Sequence, residues 1–452
     1  MNKGFTKTKT LFFVALCLLS GKSVFAQDSI SIDLSQALEI ALSDNPTVKV
    51  ADNTIELKKY AKKETIAGLF PNISANGAYS QALKLQKVKL DFAPEPISMG
   101  QNYTMSGTFN LSLPLVAPQL WKTVQLNQQE VELAVESARS SKIEMVNQVK
   151  TAYYTLLLAQ DAYKTLLAGY NNAAMNAKNV EDKFALGIVS EYDKLVADVQ
   201  LRNQKPQVVN GENAVRLATM QLKVLMGVDV NEPIIFTGNL NSYESEMYSD
   251  LMSLKSDTSL TDNSSIKQLD IQKRQLVLAE KINKLGYLPT LALSLNYGWQ
   301  SMNKNLAISQ YQWFAGSTLA LSLSIPIFDG GAKYQKTKQN KVNQINLDLQ
   351  RENLVRQLEL SITNSMNSIE TSVEQVSSNK ESMLQAEKAF TISQKRYDVG
   401  SGTLLEMNNS ETALTQARLQ YAQSIYDYLS AKSTLEATLG KTIESSLENN
   451  KK

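Results

Sequence analysis

Lys183-Phe-Ala-Leu-Gly187 and Arg396-Tyr-Asp-Val-Gly400 are the stretches that decide the architecture. Each places a cation, an aromatic and a glycine at the same spacing, and they lie 213 residues apart. Working outward, Leu225-Met-Gly227 recurs as Thr438-Leu-Gly440 at the same offset of 213. Upstream, Leu69-Phe-Pro-Asn-Ile-Ser matches Tyr287-Leu-Pro-Thr-Leu-Ala at 218, and Leu111-Ser-Leu-Pro-Leu matches Leu323-Ser-Ile-Pro-Ile at 212. Self-similarity at a fixed, long period marks an internal duplication. The chain therefore reads as repeat one over 27–227 and repeat two over 263–440. An acidic connector, 228–262, separates them, with seven acidic residues and one lysine; 441–452 forms a polar tail.

The helical part of each repeat is set by a seven-residue period. Val124, Val131, Ala138, Met145, Ala152, Ala159, Leu166, Ala173 and Val180 form one stripe; Val355, Ile362, Ile369, Val376, Met383, Phe390 and Tyr397 form another in repeat two. A heptad kept this long implies packed helices in a left-handed supercoil. In repeat one a helix begins at about Leu34 and runs to Leu69, the long helix covers about 118–185, and another covers about 190–226. In repeat two the corresponding ranges are 329–398 and 403–439, after a first helix over 265–285. Prolines 71, 114, 118, 289 and 326 fall at the junctions, where they end one element without breaking another.

Between the helices lie strand pairs, about 71–114 and 289–326. Tyr103, Met105, Gly107, Phe109, Leu111 and Leu113 alternate with Thr104, Ser106, Thr108, Asn110 and Ser112. Leu291 to Trp299 and Trp313 to Ile325 alternate in the same way. Segments of about ten residues with one apolar and one small or polar face suit transmembrane β-strands. Tyr103, Tyr297, Trp299, Tyr311 and Trp313 are placed as an interfacial aromatic girdle would require. Period 2 is equally compatible with a half-buried sheet in a soluble domain. Four strands are too few to close a barrel, and open edges are not tolerated in hydrocarbon. If the strands lie in a membrane, several copies must pool them, with the helices leaving the bilayer together.

Composition narrows the function. The chain of 452 residues has 46 Lys+Arg, 44 Asp+Glu, one Cys and no His. Histidine-dependent nucleophile systems, HExxH zinc sites and histidine proton shuttles are excluded. Residues 1–26 read as a signal peptide: three early lysines, the apolar run Leu11–Leu19, then Val24 and Ala26 before the cut. That removes Cys17 and four lysines, leaving 42 basic against 44 acidic residues, a balance of −2 with no nucleic-acid footprint. Gly400-Ser-Gly402 lacks the third glycine of a dinucleotide fingerprint, and Gly330-Gly331 reads as a strand-to-helix turn. No catalytic residue, cofactor or metal site is expected.

At the helix turns, Gly187 and Gly400 read as left-handed caps. Ser190 and Thr403 read as N-caps of the next helices, with Asp193 and Glu406 as their capping-box partners.

Taken together, the sequence resembles the TolC-type family of outer-membrane efflux proteins across about 33–440. The resemblance rests on Leu34-Ser-Gln-Ala-Leu with Asn45-Pro46, the two Pro-bearing strand entries, Pro326-Ile-Phe-Asp-Gly-Gly331, the paired turns and the repeat. It implies an α+β membrane protein with four transmembrane strands per protomer in a trimeric 12-stranded barrel, continued by coiled-coil helices as a periplasmic α-barrel. It further implies a homotrimer in outer-membrane lipid, served by a periplasmic adaptor and an inner-membrane transporter of RND or ABC type. In such channels acidic residues ring the periplasmic entrance: Glu406 matches the first, and Asn409 stands where a second acid is expected. The entrance latch of that family joins the residue matching Asp193 to an arginine and a tyrosine. Tyr397 matches the tyrosine, whereas Gly402 occupies the arginine position, so a salt-bridged latch is expected to be absent, leaving at most an Asp193–Tyr397 hydrogen bond. A coiled-coil scaffold without channel activity is the alternative reading.

Overall fold

The computed structural model describes residues 30–89, 95–245, 247, 259–306 and 308–441. The segment 1–26 read as a signal peptide, most of the polar stretch 441–452 and part of the connector 228–262 lie outside the described residues. In order, the elements are β1 (Ile30–Ile32), α1 (Leu34–Asp44), α2 (Pro46–Ala67), β2 (Asn72–Gln81), β3 (Gln86–Val88), β4 (Ile97–Met99) and β5 (Tyr103–Val116). There follow α3 (Pro118–Ala185), α4 (Glu191–Met226), β6 (Ile234–Phe236), α5 (Ser264–Leu285), β7 (Thr290–Asn303), β8 (Phe314–Ser324), α6 (Ala332–Asp398) and α7 (Leu404–Leu439). Short 3₁₀ turns occupy Leu240–Tyr243 and Ile308–Gln310.

The chain clusters into two compact units. Among the described residues, one contains 30–41, 149–245 and 379–426; the other contains 42–89, 95–148, 247, 259–306, 308–378 and 427–441. In the second unit, β2-β5-β7-β8 form a four-stranded antiparallel sheet in that spatial order, with β2 and β8 as edges unpaired among the described residues. The register puts Ile73, Leu111, Leu295 and Leu319 in one row, and Ala75, Phe109, Tyr297 and Ser317 in another. The alternate rows hold Ser74, Asn110, Asn296 and Thr318, so the sheet has one apolar and one polar face. Side chains on the apolar face stay open to the surroundings in the single chain, with Leu319 68% and Leu321 63% exposed.

α3 has 68 residues and α6 has 67, each about 100 Å long at about 1.5 Å per residue. On α3, Val131, Ala138, Met145, Ala152, Ala173 and Val180 of the predicted stripe are buried. On α6, Ile362, Ile369 and Val376 are buried, while Val342, Ile345 and Leu349 keep more than half their surface open.

Two features differ from the expectation. The first helix of repeat one is broken at Asn45, because Pro46 has no N–H to continue the ladder; the Asn45 side chain accepts from Thr47 N at 2.7 Å and starts a new helix. The connector contributes a strand: β6 pairs in parallel with β1, aligning Ile32 with Phe236. Tyr153 donates its hydroxyl to Thr237 O beside this pair, and burial raises the Tyr153 phenol well above its ordinary range.

The second unit has a polar clamp. Arg139 donates to Asp262 O at 2.6 Å, to Gly440 O at 3.3 Å and to Glu136 at 2.6 Å. Asn263 caps α5 by accepting from Ile266 N and donates to Thr438 O at 2.7 Å. Gly440 adopts φ +71° and lies against Asp262, whose carbonyl oxygen an added Cβ would overlap.

Candidate functional site

The two helix turns are built alike. Lys183 O accepts from Ile188 N at 2.9 Å and Phe184 O from Gly187 N at 2.9 Å. In repeat two, Arg396 O accepts from Ser401 N at 2.8 Å and Tyr397 O from Gly400 N at 3.1 Å. These are Schellman closures around glycines at φ +72° and +75°, a conformation that a Cβ disfavours.

The caps that follow diverge. Ser190 Oγ accepts from Asp193 N at 3.2 Å, and Asp193 Oδ2 accepts from Ser190 N at 3.2 Å, completing a capping box. Thr403 Oγ1 accepts from Glu406 N at 3.2 Å, but the Glu406 carboxylate turns instead to Arg396, 3.7 Å away. The reciprocal half expected of Glu406 is therefore not formed. Both members of that ion pair are about half exposed, which limits it to a few tenths of a kcal/mol. Glu406 and Asn409 lie on the exposed face of α7, one turn apart.

Asp193 and Tyr397 are not hydrogen-bonded to each other among the described residues; Asp193 Oδ2 accepts from the Ser190 hydroxyl at 2.7 Å. The Tyr397 hydroxyl is buried and meets no partner among the described residues. Burial raises its pKa, and the nearby Asp193 and Asp398 charges add to the effect. Lys183 covers its ring at 4.6 Å, a cation–π contact that sequence reasoning missed. Beneath the turns, Ala177, Val180, Ala197, Leu404 and Met407 form a small core with Phe390 and Tyr397 against it.

The predicted aromatic set lies on or beside the sheet of the other unit. Tyr103 begins β5 and stacks on Tyr79 at 6.4 Å. Trp299 lies near the end of the β7–β8 ladder, which stops at Gln300 and Phe314, with Tyr297 at 6.1 Å and Phe109 at 5.5 Å. Tyr311 and Trp313 precede β8, with ring centroids 6.5 Å apart; Tyr311 is buried and Trp313 is 46% exposed. Trp299 also covers its cross-strand partner Gly107. Among the described residues, no cluster of acidic or cysteine side chains is arranged to hold a metal ion. No described helix is long and apolar enough to cross a membrane.

Comparison with known proteins agrees with this geometry. The chain is 21% identical over 435 residues to outer membrane protein TolC of Escherichia coli, covering 90% of this chain and 86% of that protein. It is 23% identical over 314 residues to the cobalt-zinc-cadmium resistance protein CzcC of Cupriavidus metallidurans, covering 69% of this chain and 71% of that one. Among solved structures, the Campylobacter jejuni CmeC outer membrane channel superposes with a TM-score of 0.70 at 17% identity, over 93% of this chain and 89% of that one. The open state of the Neisseria gonorrhoeae MtrE outer membrane channel gives a TM-score of 0.70 at 16% identity, over 90% and 88% of the two chains. The model of the family described as outer membrane efflux protein matches residues 37–228 and 259–441, both repeats, and the chain belongs to this family of the outer membrane.

Proposed function

We propose that three copies of this chain form a passive conduit through the outer membrane, with no catalytic step. The observation that carries the reading is the sheet: four strands, one face apolar and the other polar, with both edges unpaired. Such a sheet is unstable in hydrocarbon alone and complete only when β8 of one copy meets β2 of the next. Three copies supply twelve strands, with the polar rows of Ser, Thr and Asn lining water and the leucines of β7 and β8 facing lipid. The apolar positions left open on α2 (Val50, Leu57), α4 (Leu195, Val199) and α6 (Val342, Ile345, Leu349) are then covered by neighbouring copies.

Energy and cargo selection belong to partners: a periplasmic adaptor and an inner-membrane transporter of the RND or ABC type. The chain's membership of the outer membrane efflux protein family supports this assignment. The turns at Gly187 and Gly400 are the gated periplasmic entrance in this reading. Three copies of Glu406, with Asn409 one turn on, present a ring carrying half the charge of a doubly acidic one. The test is single-channel recording in planar bilayers with the purified full chain. Stable conductance with block by divalent cations, reduced in Glu406→Gln, is expected. A monomer in detergent that gives no conductance overturns the conduit, and block unchanged in Glu406→Gln overturns the ring.

A further inference from the structure

The buried face at the start of α7 runs through Leu404, Met407, Asn408, Glu411 and Leu414, spaced three and four apart. Two of the five are polar. Glu411 is only 3% exposed and Asn408 only 7%. Glu411 Oε1 and Asn408 Oδ1 meet no donor among the described residues.

Among the described residues, no ion pair reaches Glu411. On the surrounding helices, Arg418 is paired with Glu387 at 2.8 Å, Arg396 with Glu406 at 3.7 Å and Lys194 with Glu181 at 3.3 Å. The α7 N-terminus favours negative charge only within its first turn, and Glu411 lies beyond it. An ionised carboxylate without a counter-charge is costly to bury, so such groups neutralise instead. A proton on Oε1 turns an acceptor into a donor, and Asn408 Oδ1, one helical turn earlier on the same face, is an acceptor lacking one.

We propose that Glu411 is a proton-operated catch: the packed α3–α7 seam holds it protonated, and opening of the seam to water releases the proton. Burial pushes the Glu411 carboxyl above its ordinary range. Between the ordinary and the raised value, the packed state binds a proton that the opened state does not. Packing is therefore strongest below that interval and weakens as pH rises through it. Leucine or alanine at 411 would pack without this dependence.

The catch rests on reading these turns as the entrance, but its test is independent of conduction. Amide exchange of the purified full chain, corrected for intrinsic rates, is followed from pH 5 to 8 in peptides covering 166–180 and 404–418. Protection in both is expected to fall with rising pH, by up to about tenfold per unit. Glu411→Gln, which mimics the neutral acid, is expected to hold the acid-side protection throughout. A wild type whose protection is flat with pH, or a Glu411→Gln protein that keeps the wild-type dependence, overturns the catch.

Discussion

The Trp299 indole lies across Gly107, its direct cross-strand partner, so closely that a Cβ at position 107 would come within 2.5 Å of the ring. The glycine leaves the space that the ring fills, and Phe109 and Tyr297 hold the ring from the sides. Gly107→Ala is expected to force the indole off its rotamer and cost about 1–3 kcal/mol, as overpacked sites do. The temperature at which the folded species disappears in heat-modification electrophoresis should fall. Adding Trp299→Ala to Gly107→Ala should recover part of the loss, because the two changes share one contact.

The two helix turns should respond differently to loss of their acids. Asp193→Ala removes the acceptor of the Ser190 N–H and is expected to cost about 1 kcal/mol of local stability, as does Ser190→Ala. Glu406→Gln should cost much less, because Thr403 caps its helix through the Glu406 backbone N–H. Limited proteolysis at the two turns measures the contrast, and equal sensitivity would mean that the caps are equivalent.

Gly187→Ala and Gly400→Ala place a Cβ on residues at φ +72° and +75°. Each should destabilise its turn by roughly 1–2 kcal/mol. Amide exchange at Ile188 and Ser401, whose N–H groups close the two Schellman motifs, reads this directly.

Glu244 carries a pH dependence of the opposite sense to Glu411. Burial works to raise its pKa, but hydrogen bonds from Lys380, at 2.9 Å, and the Tyr421 hydroxyl, at 2.8 Å, outweigh burial and lower it. A depressed carboxylate contributes stability above its unfolded pKa and loses it as pH falls through the folded value. Acidification from about pH 5 towards pH 3 should therefore loosen the unit that holds Glu244, and Glu244→Gln should flatten that limb of the melting curve.

Arg139→Met should destabilise the other unit by about 2–3 kcal/mol, since it leaves the carbonyls of Asp262 and Gly440 without their charged donor. Thermal unfolding of the variant beside wild type checks it.

Period and repetition were legible; particular partners were not. The heptad through Val131, Ala138 and Met145 reports burial because a helix returns every seventh residue to nearly the same face, and those residues are buried. The strand alternation from Tyr103 to Leu113 survives in the register row by row. The β1–β6 pair left no such trace: three residues carry too little periodicity, and the partners Ile32 and Phe236 are far apart in the chain. At the turns, matching spacing gave Asp193 and Glu406 the same expected role. The side chains separate them, because Arg396 competes for one carboxylate and not for the other. Glu411 escaped notice because an acid amid helical polar residues looks exposed until the packing of α3 on α7 is known.

The unpaired edges of β2 and β8 bear on the order of events during biogenesis. A lone chain carries two rows of unsatisfied amides and carbonyls that oil cannot accommodate. Insertion and assembly are therefore one event in the proposed trimer, and its rate should rise steeply with the local concentration of chains. A protomer that reaches the bilayer before its neighbours must wait in water with its leucine-rich face uncovered, which makes escort of the folding chain part of what this sheet demands of the cell.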